Sequence, residues 1–183
     1  MNWEPLETDR LRLRGFENGD LHFLFEHFKN DYVCRYLLDE EPFTDIGQAE
    51  RLISYFIDEN TIDATRWLIV EKETGEKIGT CGYNLWDRMN DRIEIGYDLR
   101  EHYTGAGFMT EAVGAILRTA FEDKEINRIQ AHVVAGNQRS CALLERLGFT
   151  KEGTAREWLR FRGRYHDHYI YSLLKTEWEN SKR

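Results

Sequence analysis

Hydrophobic and polar positions change their period along this chain, and each change marks an element. Ile93, Ile95 and Tyr97 alternate with Glu94, Gly96 and Asp98, the period of two expected of a strand with two distinct faces. Past Gly105-Ala106-Gly107, the apolar residues Ala112, Val113, Ile116, Leu117, Ala120 and Phe121 recur at helical spacing. The stretch from Ile93 to Phe121 therefore reads as strand, glycine turn and helix. Glycines at a helix start let the main chain approach a ligand closely. The unpaired N–H groups of the first turn, with the helix dipole behind them, attract phosphate. The turn is thus a candidate pyrophosphate cradle, entered from a strand that carries the carboxylate of Glu94.

The same test places the other elements. Leu11 and Leu13 alternate with Arg10, Arg12 and Arg14, which predicts a first strand within Thr8–Phe16 with the arginines on its solvent face. Leu21, Leu24, Phe25 and Phe28 predict a short amphipathic helix after the Asn18-Gly19-Asp20 turn. Cys34 to Phe43 is a connector with an acidic cluster, Asp39-Glu40-Glu41. A second helix follows, capped by Thr44 or Asp45, with Asp45 and Gln48 resembling a capping box and Ile46, Ala49, Leu52, Ile53, Phe56 and Ile57 on its buried face. These two helices are placed to wall a substrate site at one end of the sheet. Trp67–Val70 and Lys77–Trp86 read as a hairpin, with Gly79 and Gly82 marking a bulge or a close approach of backbone. Asn127–Val134 reads as a strand parallel to the Glu94 strand, joined to it by the crossover helix. Asn137 opens a short helix that Gly148 ends, and Phe149–Trp158 and His168–Leu174 read as two last strands.

Composition narrows the class. A chain of 183 residues with 41% hydrophobic and 13% aromatic content predicts one globular domain spanning 1–183. No apolar run reaches membrane-spanning length and the N-terminus carries no signal-peptide stretch, so the expected location is the cytoplasm, with no membrane partner. Cys34, Cys81 and Cys141 are too widely spaced for a CxxC pair and read as reduced thiols. The net charge of −8 argues against direct nucleic-acid binding. That charge is uneven: Met1–Lys77 holds 18 acidic and 9 basic residues, whereas Arg139–Arg164 holds 7 basic and 3 acidic. Solvated surface accounts for this, and so does a cationic substrate near the first part with a phosphorylated cofactor near the second.

Four segments then become specific in their order: IEIGYDL, GFMTEAV, NRIQAHV and GNQRSCALLERLGF, followed by the late GRYHDHYIYSLL. Together they resemble the GNAT N-acetyltransferase superfamily over nearly the whole chain, and most closely its RimJ/RimL branch, similar to enzymes that acetylate N-terminal amines of ribosomal proteins. The resemblance implies an α+β fold, a mixed and mostly antiparallel splayed sheet flanked by helices. It implies transfer of acetyl from acetyl-CoA to a primary amine by direct attack in a ternary complex, with no metal. The acceptor it points to is a protein N-terminal α-amine, that of a ribosomal protein among them; polyamines and amine antibiotics also suit an acidic mouth. It implies acetyl-CoA contacts from Tyr97, Asp98, Leu99, Gly105, Ala106, Gly107, Phe108, Met109, Thr110, Asn137 and Ser140. Two departures stand out. His102 replaces the usual Gln or Arg before the turn, and Thr104 and Ala106 replace basic residues in it, so cofactor binding should lean on main-chain N–H groups. Leu144 occupies the position of a tyrosine that often protonates the leaving thiolate, and Ser140 resembles the branch's alternative donor.

Acetyl transfer to an amine needs a neutral amine, a stabilised thioester oxygen and a leaving thiolate. Glu94, acting directly or through water, is the expected general base, with a solvent-facing strand carboxylate as its bland alternative. A backbone N–H near Asp98 or Leu99 is expected at the thioester oxygen, provided a bulge frees it from the sheet. Asn137 serves equally as a helix cap. His166-Asp167-His168 lacks a third ligand cluster and carries no metal expectation. A dinucleotide fold fails because Thr110 stands where GxGxxG needs its third glycine. A non-catalytic acyl-CoA sensor or scaffold remains as the rival to an enzyme. The oligomeric state, monomer or homodimer, is open.

Overall fold

The computed structural model describes residues 4–37, 41–58 and 61–182. Along the chain these form β1 (Leu6–Glu7), β2 (Leu11–Arg14), α1 (Leu21–Phe28), α2 (Asp31–Cys34) and α3 (Ile46–Ile57). The antiparallel run β3 (Thr65–Glu71), β4 (Lys77–Asp87) and β5 (Arg92–Leu99) comes next, then α4 (Phe108–Arg118). Last come β6 (Arg128–Val134), α5 (Gln138–Arg146), β7 (Thr150–Phe161), β8 (Arg164–Leu174) and α6 (Lys175–Ser181). All eight strands join one sheet in the order β1-β2-β3-β4-β5-β6-β8-β7, antiparallel except for β5 beside β6.

Each sheet face carries its own apolar layer. Ile93, Ile95, Ile129, Ala131 and Val133 point to one side, where the buried stripe of α4 (Ala112, Val113, Ile116, Leu117) and Leu143 and Leu144 of α5 close over them. On the other side Leu68 packs with Phe16, Leu24, Phe43, Ala49 and Ile53 from the first helices. Strand β3 is thus covered on both faces, which is why Trp67–Val70 reads as an unbroken apolar run and not as an alternation. Leu144 is fully buried, so the residue at the usual tyrosine position is part of the core.

Several expectations are met in detail. Asp45 caps α3 with Gln48 reaching back to its N–H, Gly148 ends α5 at φ +88°, and β3–β4 is a hairpin. Both readings of the β4 glycines hold: the register with β3 shifts beside Gly79, and a Cβ would lie 2.3 Å from the Asp98 carbonyl oxygen at Gly79 and 2.1 Å from that of Thr65 at Gly82.

Other expectations are corrected. Of the three early arginines Arg10 and Arg12 are exposed, although Arg10 precedes β2 and reaches α4; Arg14 instead grips buried Asp20 through two bonds of 2.8 Å. The last two strands are longer than their alternation indicates, because Arg162 and Gly163 both adopt positive φ and turn them into one hairpin. Helices α2 and α6 have too few periodic residues to announce themselves. Of the acidic cluster, Asp39 and Glu40 lie outside the described residues.

Candidate active site

The parallel contact between β5 and β6 is short. Arg92, Ile93 and Glu94 face Arg128, Ile129 and Gln130, and no further β5–β6 pairing occurs among the described residues. Beyond Glu94 the strands part. The Arg100 N–H donates to the Ile78 carbonyl over 2.8 Å, which fixes the alternation of the antiparallel β4–β5 pair. Glu94, Gly96 and Asp98 therefore spend their main-chain groups on β4, whereas those of Tyr97 and Leu99 face the gap. Of the N–H groups of Asp98 and Leu99, that of Leu99 is the one that faces the gap. A splay frees it, not a bulge: the β4–β5 register shift lies at Asn84–Asp87.

The glycine turn sits at the open end of this gap. Gly105 and Gly107 hold φ of +83° and +84°, and Gly107 caps α4 with no side-chain hydrogen bond to its first N–H groups. Those of Phe108, Met109 and Thr110 are thereby left to an anion. The turn lacks basic residues of its own, but charge arrives from elsewhere. Arg10 donates through Nη1 to the Ala106 carbonyl (3.0 Å) and through Nε to Glu111 (2.7 Å), and its guanidinium lies over the Phe108 ring. Glu111 also accepts from the Thr8 hydroxyl and the Arg10 N–H, so the N-terminal arm is stapled to the first turn of α4. Across the gap, Arg139 of α5 donates to the Tyr32 hydroxyl, which reaches Thr104 at 3.5 Å.

On the α4–α5 side of the gap, the Tyr97 and Ser140 hydroxyls are 2.7 Å apart. Burial pushes the Tyr97 phenol above its ordinary value, so it keeps its proton at neutral pH. Asn137 caps α5 by accepting from the Ser140 N–H at 3.2 Å. The predicted pair on α5 is therefore together, with Tyr97 joined to it.

The opposite side is polar. Glu94 accepts from Gln130 (3.3 Å) and lies 2.8 Å from Nδ1 of His132, whose ring stacks on Trp158 at 5.1 Å. Burial pushes the Glu94 carboxyl up. The hydrogen bond and charge of His132, helped by Gln130 and His168, outweigh it and hold the group below the usual carboxylate range. Burial lowers the nearby His168 imidazole. Asp98 is almost wholly enclosed. Its Oδ1 meets His27 Nε2 at 2.5 Å and its Oδ2 takes Arg66 and the Thr80 hydroxyl (2.6 Å). Burial opposes its charge, but Arg66, His27 and Thr80 hold the carboxyl far below its ordinary range. An open pocket of about 700 Å³ adjoins this face, between α2–α3 and the sheet, lined by Phe28, Phe43, Tyr55, Phe56, Arg66 and Asn84 among others. Asn84 is the cross-strand partner of Glu94, so the pocket ends beside that carboxylate.

Sequence reasoning missed His132, Arg66 and Arg10. Only His132 left a signal: with Gln130 it forms the polar face of an otherwise apolar strand. Among the described residues no group of three or more His, Cys, Asp or Glu could hold a metal ion, and no helix is long and apolar enough to cross a membrane.

Comparison with known proteins agrees with the fold. Residues 10–150 match the acetyltransferase (GNAT) domain family. The N-acetyltransferase p20 of Bacillus licheniformis, named as uncharacterized, is 41% identical over 177 residues, 96% of this chain and 98% of that protein. The ribosomal protein uS5-alanine N-acetyltransferase of Escherichia coli (strain K12) is 38% identical over 84 residues, 46% of this chain and 43% of that protein. Among solved structures, spermidine N-acetyltransferase from Vibrio cholerae in complex with CoA and spermine superposes with a TM-score of 0.83 at 25% identity, covering 94% of this chain and 100% of that one. The chain belongs to the GNAT acetyltransferase family, as an acetyl-CoA-dependent N-acetyltransferase of a RimJ/RimL-like branch.

Proposed function

We propose that the protein, residues 1–183 acting as one domain, acetylates the N-terminal α-amine of a protein, with the amine attacking directly in a ternary complex. Acetyl-CoA supplies the acetyl group as a thioester. Its pyrophosphate fits the first-turn N–H groups from Gly105 through Ala106, Gly107, Phe108 and Met109 to Thr110. Its arm fits the β5–β6 gap, between the main chain of Tyr97 and Leu99 and the side of Asn137. The Leu99 N–H faces the gap and suits the thioester oxygen. Asp98 contributes by fixing the strand that carries them, since its carboxylate is already spoken for.

The observation that carries the choice of amine is the depressed Glu94 carboxyl at the end of the acceptor pocket. Such a group is an ion that steers an ammonium and only a weak base. An α-amine with a pKa of about 8 is roughly one-tenth neutral at pH 7, so little help is required. A lysine-type or polyamine nitrogen with a pKa of about 10.4 is neutral only about once in 2,500. His132, hydrogen-bonded to Glu94, holds that carboxylate ionised, and the proton the amine sheds on attack passes by way of the carboxylate or a bound water to solvent. On the other side, a Tyr97 hydroxyl donating to Ser140 leaves the serine's hydrogen for the departing thiolate.

Thiol release from acetyl-CoA, measured against N-terminal peptides, polyamines and aminoglycosides, tests this reading. Turnover is expected on peptides, with kcat/KM for the peptide falling about tenfold or more in Glu94→Gln, chiefly through KM, while acetyl-CoA binding is retained. Turnover confined to polyamines or antibiotics would overturn the acceptor assignment.

A further inference from the structure

Three residues stand in one row across three strands: Arg66 on β3 pairs with Gly82 on β4, which pairs with Gly96 on β5. The row faces the acceptor pocket. The flanking rows on the same face are Thr80 with Asp98 and Asn84 with Glu94. Two adjacent glycines leave the sheet bare beside Arg66, and its side chain lies along that bare strip. Its Nε donates to the Thr80 hydroxyl at 2.7 Å, and its Nη2 to Asp98. Nη1 lies only 3.4 Å from where a Cβ at Gly96 would stand, and it has no hydrogen-bond partner among the described residues. The side chain is 13% exposed and lines the pocket.

From this placement we infer that Arg66 is a specificity-determining residue, whose Nη1 donates to the carbonyl oxygen next to the acceptor amine while Glu94 holds the amine itself. The inference rests on the reading of the pocket as the site of an N-terminal α-amine, and it narrows the substrate to amines that bear an adjacent amide carbonyl. The spacing fits. A strand rises about 3.3 Å per residue, so the Glu94 and Gly96 rows lie roughly 7 Å apart. The nitrogen and carbonyl oxygen of one amino-acid residue, each at a hydrogen-bond distance of about 2.9 Å, bridge such an interval. The charge fits as well. Asp98 neutralises the guanidinium, which leaves a strong donor suited to a neutral carbonyl. A methylene in that place, as in a polyamine, would leave a desolvated N–H without a partner.

The test compares alaninamide with 2-aminopropane, which lacks the carbonyl, and with spermidine, all with saturating acetyl-CoA. Rates are expressed per neutral amine; the pKa difference between acceptors cancels when a variant is compared with the parent. Arg66→Lys keeps a cation opposite Asp98. Gly96→Ala, which crowds Nη1 without removing it, serves where the lysine variant does not fold; acetyl-CoA affinity reports the integrity of each. The parent should favour alaninamide by about tenfold or more in kcat/KM. In the variants that preference should shrink to within about threefold, chiefly through KM for alaninamide, with acetyl-CoA affinity unchanged. A preference that persists undiminished in both variants overturns the role of Arg66 and leaves the N-terminal reading standing. A parent that takes 2-aminopropane or spermidine at least as well as alaninamide overturns both.

Discussion

Glu94 and its neighbours show how far single residues carry the chemistry. The carboxylate was legible because it interrupts an apolar alternation just ahead of a glycine turn. Its partner His132 lies 38 positions away and meets it only because two parallel strands align Glu94 with Gln130. Asp98 was legible only as a member of the strand: its partners His27 and Arg66 sit 71 and 32 positions away, and nothing local announces them. The Glu94–His132 contact has a consequence for pH. Burial raises the Glu94 pKa, and His132 is the main counterweight that brings it below normal. In His132→Ala the counterweight is gone and the pKa rises. Glu94 must be ionised to hold the amine, so activity fails below its pKa. The acidic limb of the kcat/KM profile should therefore move to higher pH in the variant, and an unmoved limb would detach His132 from Glu94.

At the scale of elements, the glycines of β4 and α4 separate two uses of the same residue. Gly82 sits where a Cβ would lie 2.1 Å from the Thr65 carbonyl oxygen, a backbone atom that cannot step aside. Gly82→Ala should therefore destabilise the protein by about 1–3 kcal/mol or more, as overpacked sites do. Gly114 lies inside α4 with nothing within 4 Å of its would-be Cβ. Gly114→Ala should add about 0.5–1 kcal/mol, because alanine loses less backbone entropy in a helix. Urea unfolding of the two variants reads both signs. The elements themselves were largely legible, since caps, turns and periods are written within a few residues. What escaped were β1, α2 and α6, too short to show a period, and the full length of the β7–β8 hairpin, whose exposed ends do not alternate.

For the whole molecule, the fold class followed from strand order: three antiparallel strands, then a crossover helix and a parallel neighbour. The narrowness of the contact between the halves did not, because register between distant strands is a tertiary property. Ligand binding should show in bulk stability. If acetyl-CoA joins both walls of the gap, the thermal midpoint must climb with its concentration, by about 2.7 kcal/mol of stabilisation at a hundredfold excess over Kd. A midpoint indifferent to acetyl-CoA would deny that the gap is its seat.

The splay has one more consequence. Open sheets ordinarily keep their unsatisfied edges at the periphery, where charge or short length blunts them; this one carries such an edge at its middle, along Tyr97 and Leu99. An extended chain of any origin could dock there as a guest strand. A cofactor seated in the gap would then double as a chaperone against self-association, and preparations stripped of it should be the first to aggregate.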